Sequence, residues 1–406
     1  MDIEAIVFIL VGEYTKDLPN NKNEKYLMDK TNLLIIATAI TIFISLLLSF
    51  FLITVKTKHQ LSNYLFSFFL TLSAIDISSI IFYFFDKNPS NIGIFRNSFF
   101  FLQLPVFYLY VLSVCYTDFK LKSIHLIHII PFLITNLILL PRFYTVDLAS
   151  KISFLEKPSS MIEIQFNHIF VHIQIVLYII AIFLILRKAK RIYLENHAGA
   201  SMESLNWLVQ FTLTLSLFYF IALFKNIFKF TPYSNFSEWL KIGLFLFQLL
   251  ITSWYLFKAL NNPNLFRNID SKLKLIKNII SEEIKNNPIT INEEEYSKEI
   301  LKLKNYMVEK KPFLNSSLTI QDVADGIGIP VRDLSILINH KLEQHFYDFV
   351  NTYRIESAMD ILKDVTKNKV TILEILYEVG FNSKSSFNTA FKKHTGSTPT
   401  MYRKNL

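Results

Sequence analysis

The sequence predicts an all-α protein in two parts, a bundle of about seven transmembrane helices followed by a polar domain with two helix-turn-helix units. Apolar residues make up 51% of the 406 residues and are concentrated in long stretches of the first two thirds. The last third is polar and repeats one short pattern. The net charge of +9 suits nucleic acid or an anionic lipid surface. A single cysteine, Cys115, excludes an internal disulfide framework and a cysteine-based zinc cluster.

Seven stretches are long and apolar enough to cross a bilayer, whose core takes about 20 residues of helix. They cover residues 33–55, 62–85, 95–117, 122–140, 166–187, 207–230 and 238–260. A soluble core could hold one or two wholly apolar helices, but seven in succession indicate a membrane. We therefore assign residues 1–32 to an N-terminal tail and residues 33–260 to a seven-span sensor domain.

Lysine and arginine residues flank the predicted spans on both sides, so the positive-inside rule does not orient the bundle. Lys188 and Arg191 follow the fifth span, whereas Arg96, Lys225 and Lys241 count as loop residues on the opposite side. The orientation therefore depends on what the C-terminal domain does.

Ionisable residues at membrane depth are costly and by default indicate function. Asp76 lies near the middle of the second span, and Lys225 and Lys229 lie toward the far end of the sixth, so all three are candidates for sensing a signal. The structural alternative is that Asp76 only bonds neighbouring hydroxyl groups and that the lysines extend to the interface. His168 and His172 stand one helical turn apart, at metal-ligand spacing. A histidine pair near a span end is more often interfacial, so we predict no metal site.

The sequence contains no paired carboxylates and no HExxH, GxSxG or P-loop motif. We therefore predict no catalytic residues, no cofactor and no enzymatic activity.

Residues 261–298 form a charged linker with breaks at Pro263 and Pro288. Between the prolines, four apolar residues follow a 4–3–4 spacing that predicts one stripe of a helix. They are Ile269, Leu273, Ile276 and Ile280. The stripe could pair two chains in a short coiled coil, or it could pack on its own domain.

Residues 299–406 contain one pattern twice. TIQDVADGIGI begins at Thr319 and TILEILYEVGF begins at Thr371, and each has an acidic residue three positions after the threonine. This spacing predicts a capping box at a helix start, and Gly328 and Gly380 predict the left-handed residue that ends each helix. A second helix follows each glycine, so we predict helix-turn-helix units over about 319–342 and 371–394.

A helix of about 19 residues, FYDFVNTYRIESAMDILKD, connects the two units and spans roughly 28 Å. One turn of DNA is about 34 Å long. Two recognition helices held in this way could therefore enter successive major-groove segments on one face of the duplex.

The segment GFNSKSSFNTAFKKHTGSTPTMYRK, Gly380–Lys404, closely resembles the C-terminal signature of the AraC/XylS family of bacterial transcription regulators. LSILIN at Leu334–Asn339 and FYDFVNTYRIESA at Phe346–Ala358 match the same family in the same order. The resemblance covers residues 299–406.

The resemblance implies that both recognition helices read the major groove, and it identifies ten DNA-contacting positions. They are Arg332, Ser335 and Asn339 in the first unit, and Lys384, Ser385, Ser386, Asn388, Thr389, Lys392 and Lys393 in the second. The side-chain chemistry agrees, since arginine can bond guanine, asparagine can bond adenine, and serine or threonine can bond base or phosphate. Phe387, Ala390 and Phe391 form the opposite, buried face. The alternative interpretation is a merely solvated helix face.

Four positions depart from the family pattern. Leu376 stands where a small alanine usually lets two helices approach, so the second unit is expected to be splayed or repacked. Glu343 replaces a common glycine and adds negative charge near the phosphates. Pro330 replaces a serine cap, and Ile336 replaces a polar reader.

The whole chain resembles the membrane-embedded branch of this family, in which a seven-span bundle precedes the DNA-binding domain. The resemblance implies a regulator in the inner membrane that couples a sensed signal to promoter binding. Its partners would be double-stranded DNA, the lipid bilayer and a signal ligand that the sequence does not name. DNA is cytoplasmic, so the C-terminal domain is expected inside and the N-terminus outside. A transporter or membrane enzyme with an appended DNA-binding domain and a protein-binding adaptor are the alternatives.

Overall fold

The computed structural model of the chain describes residues 21–55, 60–85, 88–116, 119–156, 161–199, 202–229, 234–261 and 293–406. The chain divides into two compact units. The bundle unit holds Met1–Ile185 and Trp207–Asp270, and the C-terminal unit holds Leu186–Asn206 and Ser271–Leu406. Within the described residues the regular structure is helical apart from one isolated antiparallel bridge, His197–Thr319, which confirms the all-α prediction.

The described residues before 262 form ten α-helices. They are α1 (Asn21–Thr54), α2 (Gln60–Ile77), α3 (Ser79–Phe85), α4 (Asn91–Ser98), α5 (Phe100–Cys115), α6 (Ile130–Leu139), α7 (Leu148–Glu156), α8 (Ile162–Asn196), α9 (Met202–Lys229) and α10 (Ser234–Asn261). Among the described residues, seven helical stretches are long and apolar enough to cross a membrane, which confirms the predicted number. They are Leu34–Thr54, Gln60–Phe82, Asn91–Cys115, Ser123–Tyr144, Ile162–Asn196, Leu205–Phe228 and Phe236–Lys258.

The fifth span is longer than the sequence analysis predicted. The prediction ended at residue 187, where a basic cluster begins, but α8 continues to Asn196. The cluster contains lysine, arginine and alanine, which all favour helix, so charge ends the apolar stretch without ending the helix. The first helix likewise begins at Asn21, inside the predicted N-terminal tail.

Hydroxyl groups join the first two spans. The Ser49 hydroxyl lies 2.6 Å from the Ser67 hydroxyl and 3.0 Å from the Thr71 hydroxyl. Such small polar residues let helices approach closely and form hydrogen bonds where lipid provides no hydrophobic drive for helix association. Asn63 strengthens the same contact, because its amide donates to the Leu52 carbonyl at 3.2 Å.

An aromatic cluster fills the interior of the bundle unit. Phe66 stacks on Tyr110 with ring centroids 4.7 Å apart, and Phe211 lies 4.3 Å from Tyr255. Phe107 is fully buried beside them. Offset and edge-to-face aromatic pairs add about 0.5–1.5 kcal/mol each beyond their buried area, so this cluster fixes the helices of the bundle unit.

The outer surface of the bundle unit is apolar. Phe43, Phe50, Leu177, Leu250 and Phe257 each expose more than 60% of their surface. Soluble proteins rarely expose contiguous apolar patches of this kind, which mark membrane or protein contacts.

In the C-terminal unit, the described residues from 293 onward form seven further α-helices. They are α11 (Glu293–Lys310), α12 (Ile320–Ile327), α13 (Val331–Ile336), α14 (Phe346–Lys363), α15 (Ile372–Glu378), α16 (Lys384–Thr395) and α17 (Pro399–Lys404). Both predicted capping boxes are confirmed, at Thr319 with Asp322 and at Thr371 with Glu374. Gly328 is left-handed with φ +70°, as predicted for a helix end. Each helix-turn-helix unit therefore begins at its capping box and turns at a glycine with positive φ, as the local sequence predicts.

Two hydrophobic clusters hold the helix-turn-helix units. The first packs α12, α13 and the start of α14, with Val323, Leu334 and Val350 fully buried. The second packs the end of α14 against α15 and α16, with Leu376 and Phe387 fully buried. Leu376 is thus accommodated inside the second core, and the Phe381 amide donates to its carbonyl at 2.9 Å.

Candidate nucleic-acid interface

The second recognition helix, α16, has one buried and one exposed face. Ser383 caps its start by accepting a hydrogen bond from the Ser386 amide at 3.4 Å. Phe387 and Phe391 are fully buried, as expected, and Ala390 is half-buried. Five predicted contacts are exposed, and two, Ser386 and Asn388, are half-buried. The exposed five are Lys384, Ser385, Thr389, Lys392 and Lys393.

Ser386 faces the connecting helix more than solvent. The Tyr347 hydroxyl of α14 lies within hydrogen-bonding range of it, and burial raises the pKa of that hydroxyl. Ser386 thus helps to seat α16 on α14.

The first recognition helix is shorter than predicted. α13 ends at Ile336, and Leu337–Lys341 forms a wider π-helical turn instead of continuing to residue 342. Arg332 and Ser335 are half-buried on α13. The Asn339 amide donates to the Ser335 carbonyl at 3.0 Å and to its hydroxyl at 3.1 Å. Asn339 therefore orients Ser335 as well as lining the surface itself.

Lys393 differs from its neighbour Lys392. The Lys393 ammonium lies 2.7 Å from the Asp348 carboxylate of α14. The two side chains are 68% and 33% exposed, so the pair is screened by solvent and ties α16 to α14 only weakly. The positive charge of Lys393 is nevertheless partly balanced before any phosphate approaches.

The backbone conformation at Glu343 is one that favours glycine. It has φ +51°, in the left-handed region, just after the π-helical turn. A non-glycine residue pays about 1–2 kcal/mol for this conformation. The side chain is exposed, so its negative charge stands at the end of the first recognition element.

Arg354 is the residue of this unit that sequence analysis missed. It lies in the middle of α14 and is 1% exposed. Its guanidinium donates to the carbonyls of Phe313 at 2.7 Å, Asn315 at 2.8 Å and Ala198 at 2.6 Å. It also lies over the Phe381 ring at 5.4 Å. Burial lowers the pKa of Arg354 to about 10, which keeps the group charged at neutral pH.

The sequence does contain a signal for Arg354. Val350, Arg354 and Ala358 follow one another at four-residue spacing, and both neighbours are fully buried. A charged residue on a buried helix face requires hydrogen-bond partners. That spacing could have indicated a buried arginine, although it does not identify the carbonyls that it bonds.

Inside the bundle unit, a small cavity of about 60 Å³ brings together two predicted signal-sensing residues, Asp76 and Lys225. The Asp76 carboxylate hydrogen-bonds with Gln103 and interacts with the charges of Arg96 and Lys225. Lys225 is 2% exposed, and Lys241 also lines the cavity. The assignment of Arg96, Lys225 and Lys241 to loops is wrong, because all three lie within helices of the bundle unit.

The remaining predicted residues of the bundle unit are not brought together at one site. Lys229 ends α9, and its side chain lies outside the described part of the structure. His168 and His172 have ring centroids 4.9 Å apart, but only His172 lines the cavity, where it lies 3.3 Å from the Asn226 amide. Within the described residues no group of three potential metal ligands forms. The apolar stripe from Ile269 to Ile280 lies outside the described residues.

Comparison with known proteins places the similarity on the C-terminal unit. Residues 323–405 match the family described as a helix-turn-helix domain. The chain is 34% identical over 89 residues to an uncharacterised HTH-type transcriptional regulator of Staphylococcus aureus strain COL, which is 22% of this chain and 12% of the relative. It is 29% identical over 90 residues to the melibiose operon regulatory protein of Escherichia coli strain K12, 22% of this chain and 29% of the relative.

The chain thus matches less than a third of either relative's length, and no solved structure matches it. The matched residues are those that form the two helix-turn-helix units, including both recognition helices. Residues 323–405 of this chain therefore form a DNA-binding helix-turn-helix domain of the AraC type, found in regulators of transcription.

Proposed function

We propose that the protein is a membrane-anchored, sequence-specific transcription regulator in which the seven-span domain, residues 33–260, senses a signal. The carrying observation is that the described residues of one chain include seven helices apolar enough to cross a membrane and an AraC-type DNA-binding domain. DNA lies in the cytoplasm, so the C-terminal unit faces inward and an odd number of spans leaves the N-terminus outside. The bilayer would be the inner membrane of the cell.

The DNA-reading face consists of Arg332 and Ser335 on α13 and of the exposed side of α16. Exposed basic and small polar side chains on α16, beside a buried aromatic face, support this assignment. Lys384 and Asn388 are the base readers that we propose for the second unit, and Lys392 contacts phosphate.

The signal site is the bundle cavity around Asp76 and Lys225. Its lining combines these ionisable groups with aromatic rings such as those of Tyr219 and Tyr255. This chemistry suits a small ligand with a polar end and an apolar body. Asp76→Asn and Lys225→Met should each change promoter occupancy in cells while the protein stays in the membrane fraction. Unchanged promoter occupancy in both variants would indicate that Asp76 has only a structural role.

We further propose a homodimer through the linker, residues 261–298, with its stripe of Ile269, Leu273, Ile276 and Ile280. The support is the 4–3–4 spacing of the stripe alone. Replacing Leu273 and Ile276 with glutamate should abolish chemical crosslinking of two chains without affecting membrane insertion. A double variant that still crosslinks as a dimer would show that the stripe packs on its own domain.

Genome-wide DNA crosslinking of the full-length protein, combined with membrane fractionation, tests the function as a whole. We expect the protein in the membrane fraction and enriched at discrete promoters. A transporter or membrane enzyme with an appended domain predicts a substrate flux or turnover that Asp76→Asn abolishes. An adaptor predicts no DNA enrichment at all, and that result would overturn the proposal.

A further inference from the structure

The C-terminal end of α8, the helix of the fifth span, folds as part of the C-terminal unit. α8 is one continuous helix of 35 residues, about 52 Å long. The hydrocarbon core of a bilayer is only about 30 Å thick. The chain from Leu186 onward belongs to the C-terminal unit up to Asn206. We name Leu186–Gly199 the clasp segment.

The clasp segment is seated by backbone and apolar contacts. His197 forms an antiparallel bridge with Thr319, the residue that caps α12, and the Ala198 amide donates to the Leu318 carbonyl at 3.0 Å. Ala198 is 2% exposed and belongs to the first hydrophobic cluster. A Cβ atom on Gly199 would lie 2.9 Å from the Ser316 carbonyl oxygen, so only glycine permits this approach.

Within the clasp segment, Tyr193 stabilises the turn that follows α8. The Tyr193 hydroxyl donates a hydrogen bond to the Gly199 carbonyl, and its ring stacks on His197 with centroids 5.1 Å apart. Tyr193 is itself 4% exposed. The turn is therefore a built structure and not a loosely placed loop.

Arg354 joins the clasp segment to both helix-turn-helix units. One guanidinium nitrogen bonds the Ala198 carbonyl, while the other two bond the carbonyls of Phe313 and Asn315, just before the first unit. The same guanidinium covers Phe381, in the turn of the second unit. Without Ala198, a buried cation would lose one of its carbonyl acceptors, which is costly.

The clasp segment also reaches the side of the recognition elements. Lys190 and Leu194 line a cavity of about 580 Å³ together with Asn339, Thr389 and Lys393, three predicted DNA contacts. The cavity lies between the end of the first recognition element, α14 and α16. The clasp segment therefore lies beside both parts of the DNA-reading face.

We propose that the clasp segment is an intramolecular docking element that completes the DNA-binding unit, with Arg354 as its positioning residue. Docking fixes the junction at which the two helix-turn-helix units meet, and undocking lowers the affinity for DNA. The inference rests on the proposed function, since DNA binding is its readout.

The test uses the full-length protein in lipid nanodiscs and duplexes that the wild-type protein enriches from a random pool. Ala198→Glu places a carboxylate in the first cluster and should weaken binding about tenfold or more. Val308→Glu is the matched control, because Val308 is an exposed apolar residue of the same unit, 62% exposed. It should bind as the wild type does. Equal affinities for both variants would overturn the proposal.

A disulfide between the clasp segment and Thr319 distinguishes an effect of docking on DNA binding from misfolding of the protein. His197 and Thr319 form a non-hydrogen-bonded antiparallel pair. In pairs of this kind the two Cα atoms are typically about 4.5 Å apart, which is within disulfide range. His197→Cys with Thr319→Cys, in a Cys115→Ala background, should crosslink on mild oxidation in intact membranes. The oxidised protein should bind DNA at least as tightly as the same protein after reduction. Absence of the crosslink, or loss of DNA binding on oxidation, would refute the proposal.

The two levels of failure are distinguishable. If the wild-type protein enriches no duplex, the proposed function fails. If it binds DNA and the clasp variants behave like the control, only the clasp inference fails.

Discussion

Lys392 and Lys393 are adjacent on α16 and carry the same charge, yet the structure predicts different effects on DNA binding. Lys392 is exposed, and no carboxylate pairs with it in the described part of the chain. Lys393 lies 2.7 Å from Asp348. A phosphate that approaches Lys393 must compete with that carboxylate, whereas one that approaches Lys392 displaces only counterions.

The expected magnitudes follow from counterion release. Each neutralised phosphate contributes about 0.9 to the slope of log affinity against log salt, or roughly 3.5-fold in affinity between 50 and 200 mM salt. Lys392→Ala should therefore lower the slope by about 0.9 on every DNA sequence. Lys393→Ala should lower it by clearly less. Asp348→Asn should raise the slope and the low-salt affinity, because it removes the competing carboxylate.

Fluorescence anisotropy of a labelled duplex with the full-length protein, measured across this salt range, provides the slopes. Asp348→Asn combined with Lys393→Ala is the internal control, and it should cancel the gain of the single Asp348 variant. Equal slope changes for Lys392→Ala and Lys393→Ala would refute the electrostatic distinction.

Three further predictions concern the same unit. Arg332→Ala and Lys384→Ala should each reduce discrimination between preferred and altered duplexes by about 1–3 kcal/mol, measured by competition binding, and an equal loss on all sequences would reject base reading. Glu343→Gly should raise the unfolding free energy by up to about 1 kcal/mol in denaturant melts, whereas Glu343→Gln, which keeps the left-handed strain, should not. Hydrogen bonds from the backbone amide and hydroxyl of Thr371 lower the pKa of Glu374, so its stabilising effect is present above the ordinary glutamate pKa and is lost as pH falls through the lowered value. Glu374→Gln should accordingly flatten the loss of stability on acidification, and an unchanged acid profile would contradict this.

Features fixed by local chemistry were predictable from the sequence. The capping boxes at Thr319 and Thr371 need only residues three positions apart, and the buried side of α16 needs only the spacing of Phe387 and Phe391. The seven spans follow from composition over windows of about 20 residues. In each case the deciding interaction is short in sequence, so the pattern is sufficient.

Features that depend on distant contacts were not predictable. Ala198 is one small apolar residue in a polar stretch, and its partner Arg354 lies 156 residues later. Nothing near Ala198 indicates that it completes a core elsewhere in the chain. The length of α8 was missed for a different reason, because a basic cluster ends an apolar pattern but continues a helix. Charge ends the apolar stretch and not the helix.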